Sequence, residues 1–277
     1  MSKRQVWYIT GASKGMGLSL VRQLLSKGYR VIATTRNITA FEEIQDKDNF
    51  LPLAVDLKSE DAVAASFRAA VDKFGSIDVV VNNAGYGLGG AVEELTQHEI
   101  QENFEINFFA VVRVIQHALP YLRKQRSGYI INISSIAGFA PGMGWSIYSA
   151  AKFAVSGLSQ ALANDLKPLG IYVINVMPGW FRTNFARPDS IAYGNARIED
   201  YDHLRASHEK MQQLDGAQSG DPDKIADVFI QIVNSALPPV NIFLGSDAFA
   251  RAQEKVVQLT KEMEQWQASS GITDFTA

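Results

Sequence analysis

The chain has 277 residues, with 26 lysines and arginines against 29 aspartates and glutamates, so its net charge is −3. Hydrophobic residues make up 47% of the sequence, which excludes a disordered or collagen-like chain. The balanced charge argues against a strongly basic nucleic-acid-binding protein, and we expect no nucleic-acid partner. Cysteine is absent. Disulfides, thiolate nucleophiles and cysteine-bound metal centres are therefore excluded.

Metal binding and membrane insertion also find no support in the sequence. Histidine occurs at four positions: His98, His117, His203 and His208. None of them forms the i, i+4 pair typical of a zinc site, so no metal site is expected. The chain enters a strand-like run at Val6 without an apolar leader, and its longest apolar stretch, 108–122, is interrupted by Arg113 and His117. We expect a cytoplasmic protein with no membrane segment.

Short β-branched runs alternate with longer amphipathic runs along the chain. Seven of these runs are predicted strands: Val6–Thr10, Arg30–Thr34, Phe50–Val55, Ile77–Asn82, Gly128–Ser134, Tyr172–Met177 and Val240–Leu244. Several are apolar on both faces, which is typical of a parallel sheet covered by helices on each side. Helix starts are predicted after the capping residues Ser59, Thr96 and Asp221. This alternation predicts an α/β fold with one doubly wound, Rossmann-like parallel sheet of about seven strands.

No linker or repeat divides the chain, so residues 1–277 are expected to form one domain. Residues 179–220 contain no predicted strand and are too long for an ordinary connection. We interpret them as a substrate lid; a pair of surface helices without a role is the alternative. Residues 246–268 are predicted to form a C-terminal helix. Its apolar seam consists of Phe249, Ala252, Val256, Leu259, Met263 and Trp266. Packing of this seam on the protein's own body is favoured over contact with a partner subunit.

A glycine-rich loop joins the first strand to the first helix. Gly11, Gly15 and Gly17 allow a tight turn and close approach of a pyrophosphate, and the helix N-terminus supplies N–H donors. The second strand ends without the acid that NAD-preferring sites use, and Arg36 follows it. Arg36 and Lys14 can both reach a 2′-phosphate, which favours NADP(H) over NAD(H). The alternative is two solvated surface cations.

Tyr148 and Lys152 stand four residues apart, on one face of a predicted helix. A nearby ammonium lowers the pKa of a tyrosine, which can then exchange a proton with a carbonyl or alcohol oxygen. Such a pair is common by chance, so its context matters. Ser135 ends a strand thirteen residues before Tyr148, and a hydroxyl there lies where strand ends gather around a ligand.

Together these motifs resemble the short-chain dehydrogenase/reductase family from about Val6 to Thr183. The resemblance is carried by Thr10–Gly17, Asp56-Leu57, Asn82–Gly85, Asn107, Ser135, Tyr148, Lys152 and Pro178-Gly179. It implies that Tyr148 is the general acid/base and that Lys152 lowers the pKa of Tyr148 and binds the nicotinamide ribose. It further implies that Ser135 holds the substrate oxygen and that Asn107 holds a water of a proton relay. Ser134 is interpreted as structural, because the thirteen-residue offset selects Ser135.

The loop glycines, the two cations and the resemblance together predict the binding residues. The cofactor-binding residues are Gly11, Ser13, Lys14, Gly15, Met16, Gly17, Arg36, Asp56, Leu57, Asn83, Ala84, Gly85, Tyr148, Lys152, Pro178, Gly179 and Thr183. The substrate-binding residues are Ser135, Phe139, Met143, Trp145, Tyr148, Trp180 and Phe185. These apolar walls suit a small hydrophobic substrate. Arg182 and Arg187 are interpreted as solvated or salt-bridged rather than as substrate anchors. Relatives form homodimers or homotetramers, which we expect here as well.

The predicted function is NADPH-dependent reduction of a ketone or aldehyde to an alcohol. The alternative from another class is an NADP-binding redox sensor without turnover. Sensors of this kind typically lose the tyrosine or the lysine, whereas this chain keeps both. An epimerase or dehydratase shares the Tyr-x-x-x-Lys motif, but the spacing of Gly11, Gly15 and Gly17 does not fit that branch.

Overall fold

A computed structural model describes residues 5–187, 190–213 and 215–275. Nine strands are present in this part of the chain: β1 Val6–Ile9, β2 Arg30–Thr35, β3 Phe50–Ala54, β4 Val79–Asn82, β5 Gly87–Gly89, β6 Gly128–Ile133, β7 Ile171–Pro178, β8 Ile191–Tyr193 and β9 Asn241–Leu244. Seven of them form one parallel sheet in the order β3-β2-β1-β4-β6-β7-β9. The predicted fold class and all seven predicted strands are confirmed.

Helices cover both faces of the sheet. They are α1 Gly15–Ser26, α2 Glu60–Phe74, α3 Gln97–Phe104, α4 Ala110–Gln125, α5 Ser146–Leu166, α6 Asp202–Gln212, α7 Ile225–Val233 and α8 Ser246–Gly271. Because side chains alternate along a strand, β1 contributes to both layers of the core. Trp7 belongs to the core cluster that contains Phe229 of α7. Tyr8 belongs to the opposite cluster, where its ring stacks on Phe67 of α2.

The predicted helix starts form with their expected caps. The Ser59 side chain accepts a hydrogen bond from the Ala62 N–H and begins α2. Thr96 and Glu99 form a reciprocal capping box at the start of α3. Asp221 caps a short 3₁₀ turn, Pro222–Lys224, that leads directly into α7.

The order of the strands creates a crevice at the carboxyl ends of the central strands. From β1 the chain builds outward through β2 and β3, and it then returns to the other side of β1 with β4. Ligands of doubly wound sheets bind at such a switch point, beyond the carboxyl ends of the strands. The loops after β1, β4 and β6 are therefore placed around one site.

The segment 179–220 contains a strand, so its prediction as a stretch without one is wrong. β8 pairs in parallel with the three residues of β5. α6 is tied to the body by an ion pair between Arg205 and the buried Glu94, and the Glu94 carboxylate also accepts from the Ile198 N–H at 2.8 Å. Both strands have only three residues, and two of the three residues in β5 are glycines. The sequence therefore contains no alternation of apolar and polar side chains that would predict them.

The C-terminal helix α8 begins where predicted and extends to Gly271. Ala248 and Ala252 pack against the body, whereas Met263 and Trp266 are 72% and 60% exposed. Of the predicted seam only Ala252 is buried, whereas the exposed members are Phe249, Val256, Leu259, Met263 and Trp266. The prediction that the seam packs on the protein's own body is therefore wrong. Neither α8 nor any other helix in the described ranges is long and apolar enough to cross a membrane.

Candidate active site

Two adjoining cavities lie beyond the carboxyl ends of the strands. The first has a volume of about 520 Å³ and the second about 420 Å³. Five residues line both cavities: Met16, Ser134, Tyr148, Thr183 and Phe185. Tyr148 therefore stands at the boundary between the two.

Tyr148 and Lys152 lie on consecutive turns of α5, near its N-terminus. Both are buried, with 8% and 4% of their surfaces exposed. The Lys152 Nζ donates to the Ile133 carbonyl at 2.9 Å and lies 5.8 Å from the centre of the Tyr148 ring. The end of β6 and the first turns of α5 thus hold the ammonium beside the phenol.

Burial sets the protonation of this pair. It raises the pKa of Tyr148 to about 12, while an interaction with the Ser135 side chain lowers it. Burial also lowers the pKa of Lys152 to about 8. The sequence predicted a lowered tyrosine pKa; the structure shows the opposite direction, because desolvation of the phenolate is the largest influence on it. At neutral pH Tyr148 keeps its proton and Lys152 is mostly charged.

Two neighbouring serines follow β6 and differ in their surroundings. Ser135 caps a short 3₁₀ turn by accepting from the Ala137 N–H at 3.1 Å, and it lines the second cavity. The Ser134 hydroxyl donates to the Lys152 carbonyl at 2.8 Å and lies 2.9 Å from the Ser156 hydroxyl. Ser134 therefore ties β6 to α5, whereas Ser135 has its side chain beside Tyr148.

Asn107 is fully buried in a π-helical segment, Glu105–Phe109, between α3 and α4. Its Nδ2 donates to the Tyr86 carbonyl at 2.9 Å, and its Oδ1 accepts from the Tyr86 N–H at 3.3 Å. A Cβ atom built on Gly85 would lie 2.6 Å from Asn107 Oδ1 and 3.2 Å from Lys152 Nζ. The amide oxygen and the ammonium thus meet beside Gly85.

Most of the predicted cofactor residues line the first cavity. They are Gly11, Ser13, Lys14, Gly15, Met16, Arg36, Asp56, Leu57, Asn83, Ala84, Gly85, Tyr148, Lys152 and Thr183. Pro178 and Gly179 line the second cavity instead. Gly17 lines neither, because it is buried beneath the loop, where a Cβ would lie 2.5 Å from the Asn83 Nδ2. Gly17 therefore allows close packing rather than ligand contact.

The glycine loop presents a backbone surface to the first cavity. Gly11 has a φ of +62°, and a Cβ at this position would lie 2.6 Å from the Ala84 Cα, so a side chain is excluded. No side-chain hydrogen bond caps α1 at Lys14, and Lys14, Gly15 and Met16 at the start of this helix line the cavity. The N-terminus of a helix is a suitable place for an anion. Arg36 directly follows β2 and is exposed at the same cavity.

The second cavity has largely apolar walls. Six of the seven predicted substrate residues line it: Ser135, Met143, Trp145, Tyr148, Trp180 and Phe185. The rings of Trp145 and Phe185 lie 6.1 and 6.2 Å from the Tyr148 ring. Phe139 is the exception, because it packs in a separate small core, 5.2 Å from the Phe243 ring. Its prediction as a substrate residue is not supported.

Three polar residues of the second cavity escaped prediction: Ser207, Gln218 and Arg251. They stand far along the chain from Ser135, Tyr148 and Lys152, and no motif marks them. Only the fold of the segment that follows β7 and of α8 brings them to the cavity. Within the described ranges, no group of three or more histidine, aspartate or glutamate side chains is arranged to hold a metal ion.

Comparison with known proteins places this site in a family. The sequence pattern of the family described as short chain dehydrogenase matches residues 5–193. The chain is 33% identical to "Oxidoreductase BOA17" of Botryotinia fuckeliana, over 96% of this chain and 98% of the relative. It is 35% identical to a 3-ketodihydrosphingosine reductase of Bacteroides thetaiotaomicron, over 87% and 88% of the two chains.

A solved structure agrees with the sequence matches. A short-chain dehydrogenase from Streptomyces avermitilis superimposes with a TM-score of 0.89 at 30% identity. The alignment covers 98% of this chain and 100% of the other, so it extends beyond the sheet to the segment that follows β7 and to α8. The chain therefore belongs to the short-chain dehydrogenase family and is an oxidoreductase of that family.

Proposed function

We propose that this oxidoreductase uses NADPH to reduce a hydrophobic ketone or aldehyde to the alcohol. The observation that carries the proposal is the position of Tyr148, buried at the boundary between a groove with a glycine loop and an apolar cavity. A proton donor at this boundary reaches a cofactor on one side and a substrate on the other. Ser135 adds a second hydroxyl on the substrate side.

The first cavity fits a nicotinamide dinucleotide. Its glycine loop and the start of α1 suit a pyrophosphate, which binds N–H groups at helix N-termini. Lys14 and Arg36 at the same cavity support the choice of a cofactor with a 2′-phosphate. When bound in its reduced form, the nicotinamide supplies a hydride to the carbonyl carbon.

Ser135 and Tyr148 hold the carbonyl oxygen with their hydroxyl groups, and their donors are oriented toward the charge that develops on that oxygen. Tyr148 keeps its proton until this point, since its pKa is about 12. An alkoxide is more basic than a phenolate, so the proton then passes from Tyr148 to the product oxygen. Lys152 is mostly charged at neutral pH and stabilises the phenolate that remains.

Asn107 lies close to the Lys152 ammonium, beside Gly85. Its side chain is fixed by the Tyr86 backbone, and its amide oxygen lies on the same side of Gly85 as the Lys152 ammonium. We assign it the role of holding a water that returns a proton to Tyr148 through Lys152. The relative named as a 3-ketodihydrosphingosine reductase supports a keto group as the reacting centre.

The test is a turnover assay with purified protein. NADPH or NADH is mixed with aliphatic, aryl and steroid ketones, and the loss of the reduced-cofactor absorbance is followed. We expect NADPH oxidation that depends on a hydrophobic ketone and is at least about 10-fold faster than with NADH. Equal rates with both cofactors would contradict the role of Lys14 and Arg36. The absence of oxidation with every ketone would favour the redox sensor.

A further inference from the structure

Arg251 stands apart from the other residues of the second cavity. It belongs to the second turn of α8, and it is the one Lys, Arg, Asp or Glu among the described residues that line this cavity. The remaining walls are mostly aromatic, aliphatic or glycine, with Trp145, Trp180 and Phe185 among them. A charged group in a largely apolar wall is unfavourable unless it is paired.

The partners of Arg251 within the described residues leave its charge unbalanced. Its Nη2 donates to the Ala140 carbonyl at 2.5 Å, and none of the ion pairs among these residues includes it. Asp247, one turn earlier on α8, accepts from the Trp180 N–H instead. A guanidinium has five N–H donors, so most of those on Arg251 are available to a ligand.

Two other arginines that could bind an anion are used elsewhere. Arg182 donates to the Gln218 carbonyl, and Arg187 pairs with Asp215. Neither lines the second cavity. Arg251 is therefore the cation that a substrate meets in this cavity.

We propose that Arg251 binds a carboxylate of the substrate, so that the preferred substrates are apolar ketones with an acidic group. The proposal rests on the proposed ketone reduction and specifies its substrate class. Tyr148 and Ser135 take the carbonyl oxygen, and Arg251 takes the carboxylate at another part of the same 420 Å³ cavity. A carboxylate fits because a guanidinium binds it through two parallel N–H···O bonds and because one positive charge balances one negative charge.

The first test compares benzoylpropionate with its methyl ester, which keeps the ketone and the aryl group but replaces the carboxylate with an uncharged ester. We expect the wild-type kcat/KM to be about 10- to 100-fold higher for the acid, as charge-assisted hydrogen bonds imply. Arg251→Met should lower kcat/KM for the acid far more than for the ester and so remove this preference, and Arg251→Lys should retain part of it. Lys255→Met, one turn further along α8 and outside the cavity, is the matched control and should keep the preference.

The wild-type comparison needs no variant, so a folding defect in Arg251→Met would not prevent the test. Equal kcat/KM values for acid and ester in the wild type would overturn the inference. A preference that persists in Arg251→Met would overturn it as well, because another group would then bind the carboxylate.

A binding experiment separates this inference from the proposed function. Decanoate and decan-1-ol are titrated into the protein saturated with NADP⁺, and the fluorescence of Trp145 and Trp180 in the cavity wall reports binding. We expect decanoate to bind at least about 10-fold more tightly than the alcohol, and Arg251→Met to remove the difference. If no ketone is reduced but decanoate is still preferred, only the proposed reduction fails. Equal binding of both ligands would overturn the carboxylate site alone.

Discussion

Replacing Lys152 with methionine is expected to remove activity and to make the cofactor-free protein more stable at neutral pH. Lys152 is buried, and burial lowers its pKa from 10.5 to about 8. Below pH 8 the folded protein keeps an ammonium in this buried site, whereas the unfolded chain keeps it in water. At about 1.4 kcal/mol per pKa unit, this difference destabilises the fold by about 3 kcal/mol.

The sign of the pH dependence follows from the same shift. Between pH 8 and 10.5 the unfolded chain binds more protons than the folded protein, so the stability of the wild type rises with pH. Lys152→Met lacks the titrating group and loses the hydrogen bond to the Ile133 carbonyl, worth about 1 kcal/mol at every pH. The variant should be about 2 kcal/mol more stable at neutral pH, and this advantage should vanish by about pH 10.

The assay is equilibrium unfolding in urea, followed by tryptophan fluorescence at about pH 7 and about pH 10. Lys261→Met, at an exposed position of α8, reports the effect of removing a lysine from the surface. A difference between wild type and Lys152→Met that does not change with pH would refute the reasoning. A variant whose stability relative to the wild type rises between about pH 7 and about pH 10 would refute it too.

Three further predictions concern other parts of the molecule. Arg36→Asp should lower the NADPH-to-NADH ratio of kcat/KM by about 10- to 100-fold, and an unchanged ratio would contradict a role in cofactor choice. Ser135→Ala should lower kcat about 100-fold, whereas Ser134→Ala should lower the free energy of unfolding by about 1–3 kcal/mol with kcat nearly unchanged. Trp266→Ala should change the free energy of unfolding by less than about 0.5 kcal/mol; a larger loss would show that a partner covers this face of α8.

The sheet could be predicted closely because each of its strands is a short, largely apolar run, and most of these runs are rich in β-branched residues. The predicted and observed ends differ by at most two residues, as at the start of β4, where Ile77 was predicted and Val79 is observed. β5 and β8 could not be predicted. They pair residues about a hundred positions apart, and Gly87 and Gly89 carry no side chains whose alternation would mark a strand.

Tyr148 and Lys152 show how much a local sequence pattern can predict and what it leaves open. The i, i+4 spacing predicts that Tyr148 and Lys152 share a helix face, and they do. It does not tell how deeply either is buried, and burial decides the direction of both pKa shifts. Arg251 was missed for a related reason, since it enters the cavity only because α8 packs back on the body through Ala248 and Ala252.

The central claim is that Tyr148 supplies the proton for carbonyl reduction, and Tyr148→Phe tests it most directly. The measurement is kcat with a ketone substrate, together with the Kd for NADPH from cofactor fluorescence. Tyr193→Phe is the matched control, because its hydroxyl accepts from Gln212 rather than facing the boundary of the two cavities. We predict that Tyr148→Phe lowers kcat by at least about 100-fold with an NADPH Kd within about threefold of the wild type. Turnover close to that of the wild type in Tyr148→Phe would contradict the account.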